Sequence, residues 1–132
     1  MGELCIAIGE SLEYINLFGI KTSGTYVGEE LLPGKYLLCV YEMFETVCET
    51  VIPGADALLV HLELLHGVIS LRMESNMPMT QVPAQADLRQ KLPKALQSRG
   101  LAGQGKISVE IEQTTVYVSC SLAVGGEWYD SI

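Results

Sequence analysis

The feature that most constrains this chain is an apolar helical pattern followed directly by a β-hairpin pattern. Residues 36 to 52 read YLLCVYEMFETVCETVI, with apolar side chains recurring every three or four positions. This spacing predicts a helix with one buried face. Residues 58 to 65 and 68 to 74 alternate apolar and polar side chains on either side of His66 and Gly67, which predicts two strands joined by a tight turn.

The rest of the chain adds two helical patterns, a loop and a second hairpin. Residues 3 to 18 repeat apolar side chains at helical spacing, and residues 84 to 98 predict a helix interrupted or kinked at Pro93. Residues 20 to 35 are rich in glycine and contain Pro33, so a loop is predicted there. The second hairpin is predicted at residues 105 to 112 and 115 to 124, around Gln113 and Thr114.

All four predicted strands are apolar on one face and mixed or polar on the other. This pattern predicts an α+β fold: a two-layer sandwich with one mainly antiparallel sheet and helices on one face only. We expect residues 1 to 35 to form an N-terminal helix and loop leading into a domain of residues 36 to 132. A helical pattern is under way by Leu4 with no capping sequence before it, so we expect a fragment of a longer chain.

Composition excludes several classes of function. The formal net charge is -8, which disfavours nucleic acid and anionic membrane surfaces as partners. The four cysteines are dispersed and form no CxxC pair, so a reduced, intracellular protein is predicted. No signal peptide and no apolar run long enough to span a membrane is recognisable in the sequence.

The helix at residues 36 to 52 also carries an acidic stripe. Glu42, Glu45 and Glu49 recur at three and four positions and therefore share one helix face. Three neighbouring carboxylates repel one another unless a cation, a hydrogen-bond donor or solvent separates them. The stripe is a binding site, the relic of a site, or a solvated helix surface.

Three stretches carry a resemblance to a known family. They read ESLEYINLFGI, LLCVYEMFETVCETVIPGADALLVHLELLHGVISLRME and GKISVEIEQTTVYVSCSLAV. In sequence and in the order of their elements they resemble the C-terminal ATP-binding domain of bacterial sensor histidine kinases, of the superfamily that includes gyrase and the mismatch-repair ATPases. The resemblance implies ATP and Mg²⁺ as cofactors. The partners that it implies are the dimerisation and phosphoacceptor helices of a larger kinase and a response regulator. The implied location is the cytoplasm, as part of a sensor that is attached to a membrane. This domain itself is expected to make no direct contact with the membrane.

The resemblance also implies candidate site residues, with departures from the family pattern. The motif of an acid or Asn followed four residues later by Asn, which holds Mg²⁺, falls most naturally on Glu45 and Glu49, with Glu42 beside them and Glu49 as the metal candidate. Glu74 stands where an Asp contacts adenine, but the following residues read SNMPM without the glycines of DxGxG. No second glycine box, nucleotide lid or phosphoacceptor histidine is recognisable.

Two hypotheses about function follow, and they leave open whether the protein is an enzyme. One is an ATP-binding module of a histidine kinase in two-component signalling, with eroded nucleotide motifs. The other is a non-catalytic interaction or regulatory domain that keeps the fold without binding ATP. No catalytic residue is predicted. We expect the isolated chain not to autophosphorylate, and Glu45 and Glu49 to border a reduced groove between helix 36–52 and segment 74–83.

Overall fold

The computed structural model describes residues 2–28 and 32–124. Positions 29–31 of the predicted loop and 125–132 of the predicted domain lie outside the described residues. The described part contains three α-helices, five strands and a short 3-10 turn. Their bounds are α1 Gly2–Asn16, β1 Lys21–Val27, α2 Gly34–Val51, β2 Ala57–Leu65, β3 Val68–Asn76, α3 Gln81–Ser98, the turn Ala102–Gln104, β4 Gly105–Glu112 and β5 Thr115–Ala123.

The strands form a single sheet in the order β1-β2-β3-β5-β4. The pairs β2–β3, β3–β5 and β4–β5 are antiparallel, and β1 lies parallel to β2. The predicted α+β class and mainly antiparallel sheet are confirmed, because the two predicted hairpins share this one sheet. At the turn between β2 and β3, His66 and Gly67 have φ of 54° and 72°. Positive φ at both positions is what a tight two-residue hairpin turn requires.

The prediction of a loop over residues 20 to 35 is wrong for Lys21–Val27, which form β1. Among the strands that the structure describes, β1 lies at the edge of the sheet and pairs only with β2. Six of its seven residues are exposed and none is buried, so its sequence KTSGTYV shows no apolar alternation. An edge strand held by backbone hydrogen bonds leaves little signal in a hydrophobic pattern.

The core lies between the three helices and one face of the sheet. The buried face of α2 presents Val40, Phe44, Val47 and Val51, each at most 1% exposed, to the sheet. The strands contribute alternate residues, such as Leu62 of β2. Burying each such side chain contributes about 1.5–3 kcal/mol to the stability of the fold. The apolar residues of α1 and α3 belong to the same core.

The third helix is longer than predicted and is not interrupted. It begins at Gln81, three residues earlier than the predicted start at position 84, and runs through Pro93 to Ser98. Buried residues continue on both sides of the proline, with Leu88 and Leu92 before it and Leu96 after it. Packing of this apolar face holds the helix together where the proline removes a backbone hydrogen bond.

Candidate functional site

The three glutamates of the acidic stripe on α2 face two different neighbouring helices. Glu45 and Glu49 are exposed and border a groove between α1 and α2, with a volume of about 530 Å³. We call it the α1/α2 groove. Its lining residues are Ala7, Glu10, Ser11, Tyr14, Ile15, Tyr41, Phe44, Glu45, Cys48, Glu49 and Ile52. Glu42, on the other side of the stripe, pairs with Arg99, just after the end of α3.

The groove therefore lies on a different side of α2 from the one predicted. The segment after β3 borders a smaller cleft of about 180 Å³. It is lined by Thr50 near the end of α2, by Pro53 just after that helix and by residues between Met77 and Asp87, and neither Glu45 nor Glu49 takes part in it. Each helical residue turns about 100° from the one before. Thr50 consequently faces the segment after β3, while Glu49 points toward α1.

Between α2 and α3 the two helices pack directly on each other. The thiol of Cys39, which is fully buried, donates to the carbonyl oxygen of Ala95 at 3.7 Å. Arg99 Nε lies 3.2 Å from Glu42 Oε2, with both side chains partly exposed. Sequence reasoning missed Arg99, because nothing in the sequence pairs two residues 57 positions apart.

The segment after β3 is short and its first side chain is buried. Only residues 77–80 separate the end of β3 from the start of α3. Met77 is 1% exposed, and its backbone N–H donates to the carbonyl oxygen of Thr114 at 2.8 Å. Asn76 is fixed as well, since its amide donates to Asp56 and accepts from Thr114. This connection leaves no length for a lid, and Met77 fills space that a glycine would leave open.

Glu74 lies on the side of the sheet opposite the helices. It pairs in register with Leu59 of β2 and Tyr117 of β5, on the helix-free face. There it borders a concavity of about 490 Å³ together with His61 and Arg72. The sheet therefore separates Glu74 from the other glutamate candidates on α2, and the four cannot contact one small ligand.

Neither histidine occupies the place of a phosphoacceptor on a helix. His61 lies in β2, where its Nδ1 is 2.6 Å from the hydroxyl of Thr25 and its Nε2 is 3.8 Å from Glu63. His66 lies exposed in the β2–β3 turn. Within residues 2–28 and 32–124, no three His, Cys, Asp or Glu side chains come together as a metal site.

The cysteine thiols are buried and poorly suited to reaction. Burial, and to a smaller extent the carboxylates of Glu45 and Glu49, raise the pKa of Cys48 to about 12. Burial likewise raises the pKa of Cys120 to about 12 and that of Cys39 to about 11. The thiolate is the nucleophilic form, so these cysteines act as small apolar side chains at neutral pH. All four cysteines are free.

Comparison with solved structures places this fold among histidine kinases. The histidine kinase domain of the blue-light activated kinase of Erythrobacter litoralis EL346 aligns with a TM-score of 0.62 at 15% identity, covering 92% of this chain and 61% of that one. The Acinetobacter baumannii histidine kinase AdeS aligns with a TM-score of 0.62 at 9% identity, covering 95% and 65%. The catalytic domain of the histidine kinase ThkA, in a nucleotide-free form, aligns with a TM-score of 0.58 at 11% identity, covering 92% and 88%.

The resemblance noted from the sequence is thus confirmed at the level of the fold: the chain is folded like the catalytic, ATP-binding domain of a histidine kinase. It spans less than two thirds of the first two structures. No family model and no curated protein matches its sequence. Among the described residues, no helix is both long and apolar enough to cross a membrane.

Proposed function

We propose that this chain is a signalling domain that keeps the fold of a histidine kinase ATP-binding domain and does not hold a nucleotide. The observation that carries the proposal is the direct packing of α3 on α2, with Cys39 against Ala95 and Glu42 paired with Arg99. The resemblance assigns the phosphates to the α2 helix and the adenine to the end of β3. Buried Met77 follows the end of β3. On α2, Arg99 pairs with Glu42, while Glu45 and Glu49, the residues that the resemblance assigns to Mg²⁺, face α1.

The residues present do not fit a nucleotide with Mg²⁺. Glu45 and Glu49 face the α1/α2 groove together with Glu10, so a triphosphate there would meet three carboxylates. No glycine lies between Gly67 and Gly100, so the connection from β3 to α3 offers no bare glycine backbone to phosphate. The cleft of about 180 Å³ beside Met77 is smaller than the roughly 300–1,000 Å³ usual for small-molecule sites.

A domain of this kind acts through contacts with other proteins. Its natural setting is the cytoplasmic part of a two-component sensor, beside the phosphoacceptor and dimerisation helices, with a response regulator as a further partner. The formal net charge of -8 supports protein partners over nucleic acid. Fold alone does not assign activity, so this role rests on the closed α2–α3 contact.

The second candidate is an ATP-binding module of an active sensor kinase. The fold shared with histidine kinase catalytic domains favours it. It requires α3 to move away from α2 when nucleotide enters, breaking the Glu42–Arg99 pair and exposing Cys39. A nucleotide would then have to supply the free energy of that opening from its own contacts.

Isothermal titration calorimetry with ATP and Mg²⁺ separates the two candidates. We expect no saturable heat, corresponding to a Kd weaker than about 1 mM, and no transfer of phosphate from ATP to the chain. A histidine kinase catalytic domain that binds ATP, titrated in the same buffer, is the positive control. Saturable, Mg²⁺-dependent binding in the micromolar range would overturn the proposal and favour the kinase module.

A further inference from the structure

The α1/α2 groove has an apolar floor. Ile15, Phe44 and Cys48 form it and are 4%, 1% and 6% exposed. The hydroxyl groups of Ser11 and Tyr41 lie 3.3 Å apart and link α1 to α2 across it. Because the floor consists of core side chains and the two walls are joined, the groove is a fixed feature of the packed domain.

Apolar side chains continue from the groove along the surface of α1. Ile6, Tyr14 and Leu17 are 63%, 63% and 80% exposed. Ile6, Glu10 and Tyr14 follow one another at intervals of four residues on α1, and Leu17 comes three residues later, just past the end of the helix. These side chains form a strip that begins at the groove and continues beside it. Phe18, 65% exposed, packs edge-on against Tyr14 at 5.3 Å between ring centroids. Large apolar side chains grouped on a surface mark an interaction site.

The rim of the groove is acidic and unneutralised. Glu10 of α1 and Glu45 and Glu49 of α2 border it, and no Lys, Arg or His is among its lining residues. In the part of the chain that the structure describes, these three carboxylates have no ion-pair partner. Their mutual repulsion is relieved when cationic side chains approach the rim.

We infer that the α1/α2 groove, extended by the strip on α1, is the docking site of a basic amphipathic helix from a partner protein. Apolar side chains at one helix face enter the groove, and Lys or Arg beside them meet Glu10, Glu45 and Glu49. A helix laid on two parallel walls of side chains is a common mode of recognition, read by anchors at i, i+3 or i+4, and i+7. The inference rests on the proposed role as an interaction domain.

Other occupants fit this surface less well. A second copy of the chain carries the same acidic rim and a formal net charge of -8, so groove-to-groove contact brings like charges together. An anionic membrane surface is repelled for the same reason. A metal ion is disfavoured, because the described residues bring no three metal-ligating side chains together.

The test is fluorescence anisotropy with a labelled synthetic peptide of about 18 residues, with Leu at the i, i+3, i+4 and i+7 positions of a helix and Lys elsewhere. A second peptide has the same composition with the leucines scattered around the helix. The chain variants are Tyr14→Ala, which shortens an exposed groove side chain, and the double substitution Glu45→Gln with Glu49→Gln. The matched control is Glu74→Gln with Glu112→Gln, which removes the same charge from exposed sites on the sheet.

We expect saturable binding of the amphipathic peptide and clearly weaker binding of the scattered one. Tyr14→Ala and the Glu45/Glu49 double variant should each weaken binding about five-fold, equivalent to about 1 kcal/mol, while the control pair changes it less than about two-fold. Equal losses in the groove and control pairs would mean attraction by net charge alone and would overturn the inference, as would absence of binding.

The melting temperature of each variant shows whether a loss of peptide binding comes from unfolding. The Glu45/Glu49 double variant should melt at the same temperature as the parent or slightly higher, because a repulsion on an exposed helix face is removed. The calorimetric titration with ATP is independent of this assay. If the chain binds both the peptide and ATP, only the proposed loss of nucleotide binding is refuted. If it binds neither ATP nor the peptide through the groove, only the docking site is refuted.

Discussion

At the residue scale, burial determines the ionisation of the cysteines. Cys48, Cys120 and Cys39 have pKa values raised to about 12, 12 and 11, chiefly by loss of hydration. In the unfolded chain a thiol ionises near its ordinary pKa of 9.0. Above that pH the unfolded state releases protons that the folded state retains. The stability associated with these thiols is thus complete below about pH 9 and is lost progressively up to about pH 12.

Alkaline destabilisation should therefore depend on Cys48. We expect the free energy of unfolding, from urea denaturation, to fall between about pH 8 and about pH 10.5, with Cys48 accounting for on the order of 1 kcal/mol of the fall. Tyrosines also ionise in this range, so the comparison is between the parent and Cys48→Ala. The variant is less stable at pH near 8 because of its smaller side chain, but should lose less on the way up. Equal losses in both proteins would contradict this account.

At the element scale, the position of the groove depends on which helix packs against each side of α2. The periodicity of residues 36 to 52 is enough to identify the helix and to place the three glutamates on one face. It cannot say that α1 lies beside Glu45 and Glu49 and that α3 lies beside Glu42. Those neighbours come from tertiary packing of segments far apart in sequence. For that reason the position of the groove could not be predicted from the sequence.

The helix α3 allows the energetic cost of a proline inside a helix to be compared with the stabilisation from packing of its apolar face. Pro93 lacks the N–H that would bond the carbonyl oxygen of Arg89, yet α3 continues through it. Pro93→Ala should raise the free energy of unfolding by about 1 kcal/mol or more, measured by urea denaturation. Lys94→Ala, at the next and exposed position, is the matched control and should change it by less than about 0.5 kcal/mol. A destabilised Pro93→Ala would mean that the proline ring contributes packing that outweighs the missing bond.

The elements differ in how well the sequence predicts them, for physical reasons. Strands β2, β3, β4 and β5 bury alternate residues, so their pattern predicts them to within two residues at either end. Strand β1 buries nothing and was missed. The early start of α3 at Gln81 was missed because only Ala84 of its first turn is buried, which leaves the pattern weak there.

At the scale of the whole molecule, one layer of helices covers one face of a five-stranded sheet, as in the histidine kinase domains it resembles. The sequence was sufficient for this class because the apolar faces of strands and helices are regular. The sequence was not sufficient for the candidate site. The missing glycines show that a nucleotide-binding motif is absent, but they do not show which side chains fill its place. The structure supplies the replacement: buried Met77 after β3 and the α2–α3 contact through Cys39 and Arg99.

The central claim is that the contact between α2 and α3 stays closed in the presence of nucleotide. The most direct measurement is a titration of the isotopically labelled chain with ATP and Mg²⁺, followed by the backbone amide resonances of α2, residues 77–80 and α3. The account predicts that these resonances do not move in a saturable way up to about millimolar ATP. Saturable shifts in both α2 and α3, accompanied by a change at Cys39, would show that the helices open around a nucleotide and would contradict it.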